Sequence, residues 1–183
     1  MNYGTIKFDD ISNGPGVRVS LFVSGCENYC EGCFNSDAWD FNFGNKYTMG
    51  AEEDILNHIN NNFISGLSIL GGDPMHPRNQ YDVLNLVKKF KNRFPNKTLW
   101  IYSGYNYEDL INNKIGEYSK EILLYTDRLV DGKFDIKLKD IGLNFRGSSN
   151  QRIIDVPESI KLNQIILDPL CIGDSDKYHK KEN

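Results

Sequence analysis

GLSILGGDP (66–74), RNQYDVLNLVKKFKNRF (78–94) and KTLWIY (97–102) follow one another with only three or fewer residues between them. The first opens with an apolar run that Gly71-Gly72 ends, the pattern of a buried strand. The second sets Val83, Val87, Phe90 and Phe94 on one helical face and is closed by Pro95, the pattern of an amphipathic helix. The third reads as another strand. Two strands joined by a helix of this length pair in parallel through a right-handed crossover. Upstream, VRVSLFVS (17–24) alternates and is rich in β-branched residues, which predicts a further strand. Residues 52–63 carry Ile55, Leu56, Ile59 and Phe63 at helical spacing. Thr48 offers an N-cap, and Glu52, Glu53 and Asp54 suit the positive end of the helix dipole. Downstream, helices are expected over 107–115 and 117–124, and a strand over 128–130. The fold class is therefore α/β, built from βαβ units around a parallel sheet.

Length and composition agree. A chain of 183 residues corresponds to about one domain and can bury close to 70% of its unfolded surface. No repeat or low-complexity linker divides it, so residues 1–173 are expected to form one domain, with 174–183 as a polar tail. With 39% apolar and 12% aromatic residues, the chain is too apolar to be disordered. A net charge of −4 argues against general nucleic-acid affinity, which needs phosphate neutralisation. No apolar run reaches the length of a membrane span, and Met1 to Asp10 lack the apolar core of a secretion signal. A cytoplasmic location is expected, where cysteines point to metal or redox chemistry before disulfides.

Three of the four cysteines lie close together. Cys26, Cys30 and Cys33 read C-x3-C-x2-C within GCENYCEGCFN (25–35), and Cys171 stands far away as a small core residue. One reading is a zinc knot that takes Cys171, His58, His76 or His179 as its fourth ligand. The other is a [4Fe–4S] cluster held by three thiolates, with one iron left open for a substrate or cofactor. Ligand sites of parallel sheets lie beyond the carboxyl ends of the strands. The cysteines after the first strand, Gly71-Gly72-Asp73-Pro74 after the second and Ser103-Gly104-Tyr105 after the third should converge there. Asp9 and Asp10 are paired carboxylates without a cleft to work in, and no Ser-His-Asp set, phosphate-binding loop or HExxH helix competes for a catalytic role.

The cysteine loop, SNGPGVR (12–18), Phe22, Gly25, WDFNFG (39–44), GGDP (71–74), VDGKF (130–134) and FRGSSNQRIIDV (145–156) together resemble the radical S-adenosylmethionine (SAM) superfamily. Within it the chain is similar to the activating enzymes of glycyl-radical proteins, and in particular to those serving anaerobic ribonucleoside-triphosphate reductase. The resemblance covers nearly the whole chain. It implies a single-domain, partial (open) parallel β/α barrel and a radical SAM oxidoreductase. It implies that Cys26, Cys30 and Cys33 hold the [4Fe–4S] cluster, whose fourth iron SAM chelates. Gly32 and Phe34, flanking Cys33, would lie near the adenine, and Gly71, Gly72 and Asp73 would meet the methionyl ammonium. Asp135 and Lys137 would reach the carboxylate and ribose, with Ser103 a further donor. The alternative for Lys137 is one polar surface face shared with Lys139. Residues 146–152 (RGSSNQR) read as an exposed loop able to grip a partner's backbone, or as a solvated turn. The implied partners are the large subunit of the anaerobic reductase and a flavodoxin-like electron donor. Rival readings are another short radical SAM enzyme acting on a small molecule, of the deazaguanine-synthase kind, and a zinc-stabilised interaction module.

Overall fold

The computed structural model describes residues 1–172. Four strands form the centre of the sheet: β2 (Val17–Val23), β4 (Ile64–Gly71), β5 (Thr98–Ser103) and β6 (Arg128–Asp131). They pair in parallel in that order, as the βαβ reading requires. The margins differ from expectation. β1 (Asn2–Asp10) runs antiparallel beside β2, and the two-residue β3 (Asn45–Lys46) is antiparallel to β1. At the other side β7 (Arg152–Asp155) is antiparallel to β6. Among the described residues the result is one mixed seven-stranded sheet, ordered β3-β1-β2-β4-β5-β6-β7, with six helices. The expectation of a wholly parallel sheet is thus corrected at both margins.

The helices are α1 (Met49–Ile59), α2 (Pro77–Arg93), α3 (Tyr107–Ile111), α4 (Ser119–Tyr125), α5 (Val156–Leu162) and α6 (Pro169–Ile172). Thr48 caps α1 as expected, its hydroxyl accepting from the Ala51 N–H at 3.3 Å. Phe63 does not join the apolar face of α1. The helix stops at Ile59, a turn intervenes before β4, and Phe63 is left exposed with its ring edge-on to His58. The expected helix over 107–115 is shorter, because Asn112 leaves the helical region after Ile111.

Alternation along the parallel strands divides the sheet into two faces. Val19, Leu21, Leu67, Ile69, Leu99, Ile101 and Leu129 turn toward the helices and meet Ile55, Ile59, Val83, Val87, Phe90, Ile122 and Leu123 in the main core. Each such side chain contributes about 1.5–3 kcal/mol by leaving water. The opposite face carries Ser20, Phe22, Ser68, Leu70, Trp100, Tyr102 and Val130. Its smaller apolar cluster of Trp100, Val130 and Ile153, joined by Phe145, Leu170 and Cys171, leaves room for a cavity. The expected tail, 174–183, lies outside the described residues, and so does His179. No helix among the described residues is long and apolar enough to cross a membrane.

Candidate functional site

The chain leaves β2 at Ser24 and turns at once into the cysteine loop. Gly25, at φ +98°, makes that turn, and a Cβ there would stand 2.0 Å from the Phe41 ring. Its N–H donates to Ala38 at 2.7 Å, and its carbonyl accepts from the Asp73 N–H at 2.9 Å. The Gly72 N–H bonds to the Val23 carbonyl at 2.7 Å, and the Asn79 amide reaches the carbonyls of Ser24 and Asp73. The base of the cysteine loop and the GGDP turn are therefore one hydrogen-bonded unit. A Cβ at Gly72 would lie 2.6 Å from the Gly25 carbonyl oxygen, so that glycine serves the packing of the loop base.

Cys26, Cys30 and Cys33 are free thiols that line a single cavity of about 640 Å³, together with Phe34, Gly71, Gly72, Asp73, Ser103 and Gly104. The three clusters expected beyond the strand ends do meet there. Two of the sulfurs accept from backbone donors, Asn28 N–H to Cys26 and Asn35 N–H to Cys33, each at 3.4 Å, and the Phe134 backbone favours the thiolate of Cys30. Burial pushes the Cys26 thiol up to about 11 and raises that of Cys30, so uptake of a metal must release protons. Among the described residues no three His, Cys, Asp or Glu side chains are gathered as a ready-made site for a single metal ion. The thiols instead share a cavity wall, with an N–H aimed at the sulfurs of Cys26 and Cys33. That donor set suits a thiolate-bound iron–sulfur cluster, whose properties are tuned by hydrogen bonds to sulfur.

Asp73 is fully buried and spends both oxygens inside the protein. Oδ1 accepts from Met75 N–H and the Ser103 hydroxyl, each at 2.9 Å. Oδ2 accepts from the Asn28 amide at 2.9 Å and from Gly104 N–H at 3.0 Å. Burial pushes this carboxyl up, and the donors from Gly104, Ser103 and Met75 pull against it. Asn28 also donates to the Cys26 sulfur at 3.5 Å, so it couples the cysteine loop to the Asp73 hub. The sequence reading missed Asn28, because nothing local marks a residue whose partners follow β4 and β5.

The other expected site residues separate into two places. Phe34 is exposed at the cavity wall, tilted against Phe134 at 5.4 Å and beneath the Lys139 ammonium at 4.9 Å. Gly32 backs onto Ile136 and is not part of that cavity's lining. Asp135 and Lys137 line a neighbouring hollow with Glu31 and Lys133, and the Asp135 carboxylate accepts the Lys137 N–H at 2.9 Å. Residues 146–152 are exposed only in part, at Ser149 and Asn150, while Ser148 is buried. Arg152 belongs to β7 and forks onto buried Asp131 and onto Glu108, while Arg146 donates to the Cys171 carbonyl at 3.3 Å. His58 pairs with Asp9, His76 faces Glu27, and Cys171 packs by Trp100; none of the three lines the cysteine cavity.

Comparison with known proteins agrees with this geometry. Residues 12–154 match the model of the 4Fe-4S single cluster domain family. A protein of Enterobacteria phage T4 is 41% identical over 153 residues, covering 84% of this chain and 93% of its own. One from Vibrio cholerae is 43% identical over 155 residues (84% and 97%), and one from Escherichia coli K12 is 42% identical over 153 residues (82% and 96%). All three bear the name anaerobic ribonucleoside-triphosphate reductase-activating protein. At that identity over nearly the full length of both partners, this chain belongs to the family of anaerobic ribonucleoside-triphosphate reductase-activating proteins, built on a 4Fe-4S single cluster domain.

Proposed function

We propose that the protein is a radical SAM activase, an oxidoreductase that cleaves SAM reductively at a [4Fe–4S] cluster and leaves a glycyl radical on anaerobic ribonucleoside-triphosphate reductase. The observation that carries this reading is the meeting of three thiols, the GGDP turn and the Ser103-Gly104 turn on one cavity at the carboxyl ends of parallel strands. In this reading the sheet is the open β/α barrel of that superfamily, the protein works in the cytoplasm, and a flavodoxin-like protein supplies the electron.

Cys26, Cys30 and Cys33 would hold the cluster as thiolates, ionised by the iron they bind, with the N–H groups of Asn28 and Asn35 donating to the Cys26 and Cys33 sulfurs. When bound and reduced, the cluster supplies one electron to the SAM sulfonium, which breaks the S–C5′ bond and so enables hydrogen abstraction from glycine. Backbone carbonyls near Gly71 and Gly72 would receive the SAM ammonium, since the Asp73 carboxylate and Ser103 hydroxyl are already joined to each other. Phe34 and Phe134, tilted against each other, would give the cavity an aromatic wall. Gly32, Asp135 and Lys137 would act from behind the loop, the latter two from the adjoining hollow.

Anaerobic reconstitution followed by addition of SAM, a reductant and the reductase tests the reading. The expected results are about four irons per chain, release of 5′-deoxyadenosine and methionine, and a glycyl-radical doublet on the reductase. Stoichiometric zinc without iron uptake overturns it in favour of an interaction module. Brisk SAM cleavage coupled to a small molecule, with no radical on the reductase, moves the deazaguanine-type alternative ahead.

A further inference from the structure

Tyr102 occupies the concave face of β5, beside the thiols' cavity. In the sheet register Phe22 lies opposite Leu70, and Tyr102 opposite Val130. Two residues further along the strands come Gly72, Gly104 and Gly132, which have no side chains. Phe22, Leu70 and Tyr102 therefore form the floor of the cavity beneath a rim of glycines. Of those three side chains only Tyr102 carries a polar atom, while Lys7 lies over the Phe22 ring and Ser12 and Asn13 line the same cavity. The Tyr102 hydroxyl is buried and meets no hydrogen-bond partner among the described residues. Burial raises its pKa, so the phenol stays protonated and is available as a donor.

A buried hydroxyl without a partner weakens the free protein, and such groups are rare enough to need a reason. A ligand that brings an acceptor removes the penalty. The charges that act on the hydroxyl, Arg18 and Asp10, are opposite in sign and both already hydrogen-bonded within the protein, so an uncharged acceptor fits there without the hydration that an ion would lose. SAM carries its ionised groups on the methionine moiety, which belongs at the rim with the thiols. A peptide backbone is uncharged and presents a carbonyl at every residue.

We propose that the Tyr102 hydroxyl donates a hydrogen bond to a peptide carbonyl of the reductase segment that enters this cavity, and thereby sets the orientation of its glycine. The inference rests on the activase reading and adds the residue that recognises the peptide. Orientation is what a hydrogen-atom transfer demands, since a misdirected C–H bond wastes the radical.

Tyr102→Phe, which deletes one oxygen, tests it in the full chain. The thermal midpoint of the cluster-free variant should equal or exceed that of the wild type, because an unmatched group has been removed. In the reconstituted protein with SAM and reductase, glycyl-radical spins formed per 5′-deoxyadenosine released should fall about fivefold or more, the worth of one hydrogen bond. A lowered midpoint would show that the hydroxyl has a structural partner and overturns the proposal. So does a wild-type ratio of spins to 5′-deoxyadenosine. Loss of SAM cleavage without reductase, at an unchanged ratio, assigns the hydroxyl to the nucleoside and overturns the peptide contact. If the wild-type protein cleaves SAM yet leaves the reductase without a radical, the activase reading itself falls, and the peptide with it; that outcome is visible before any variant is made.

Discussion

Asp73 and its four donors illustrate how a single residue can be placed on a cavity by sequence while its bonding partners stay hidden. The GGDP turn marks Asp73 as a site residue, and it does lie on the cavity. The reading could not show that its carboxylate is occupied, because Asn28, Ser103 and Gly104 arrive from loops distant in the chain. Asp73→Asn would turn an amide N–H₂ toward donors and leave at least two of them unmatched in the interior. We expect a loss of about 2–4 kcal/mol in folding stability, measured by denaturant unfolding under anaerobic conditions. Iron incorporation should also slow, since Asn28 loses the partner that holds it beside the Cys26 sulfur. An Asp73→Asn protein as stable as the wild type would mean that the hub does not brace the loop. Arg152 teaches the same lesson in reverse. As a basic residue in a polar run it reads as a free hand for a partner, yet buried Asp131 and Glu108 already claim its guanidinium.

At the scale of elements, what was legible depended on local period. The βαβ pattern of 66–102 and the Thr48 cap are contained within short windows, and both appear where the periodicity puts them. β1 is the strand the sequence marks least: only Ile6 and Phe8 alternate with exposed Thr5, Lys7 and Asp9, and its pairing with β2 carries two register irregularities. The second irregularity involves Asp10, which closes the β1–β2 connection. Burial pushes its carboxyl up, but hydrogen bonds from the Ser20 hydroxyl, the Asn13 amide and the Ser12 N–H outweigh it and hold the pKa below the ordinary value. A carboxyl depressed in the folded state adds stability that is fully present above its unfolded pKa and is lost as pH falls through the folded one. Stability should therefore decline as pH falls below about 4, and Asp10→Asn should flatten part of that slope while lowering the neutral-pH plateau. Parallel slopes for the two proteins in acid unfolding titrations would assign the decline to other carboxyls.

Over the whole molecule, the cysteine loop acts as a strap across the open end of the sheet. Gly25 is bonded to the turn after β4, Asn28 to Asp73 and beside Gly104 after β5, Cys30 lines the cavity together with Phe134 after β6, and Gly32 abuts Ile136. The sequence shows that these strand ends converge, since parallel strands put their carboxyl ends on one side. It does not show that one loop touches all of them, because those contacts are non-local. Thiolates that bind iron in the folded chain and bind it less well when unfolded transfer that binding energy to folding, about 2.7 kcal/mol when free ligand exceeds its dissociation constant a hundredfold. Reconstitution should thus raise the thermal midpoint. Because Phe134 and Ile136 rest on the loop, it should also slow amide hydrogen exchange across 133–151, far in sequence from any cysteine of the motif. Chelation should reverse both effects. Cys26→Ser, Cys30→Ser and Cys33→Ser should remove the iron and both responses to it. Cys171→Ser should keep all three, since Cys171 packs beside Trp100, Val130 and Ile153 and does not line the cavity. If iron binds and raises the midpoint while exchange in 133–151 stays unchanged, the cluster stiffens its own loop alone. If Cys171→Ser also loses the iron, three thiolates are not the whole ligand set and no iron is left open to a cosubstrate.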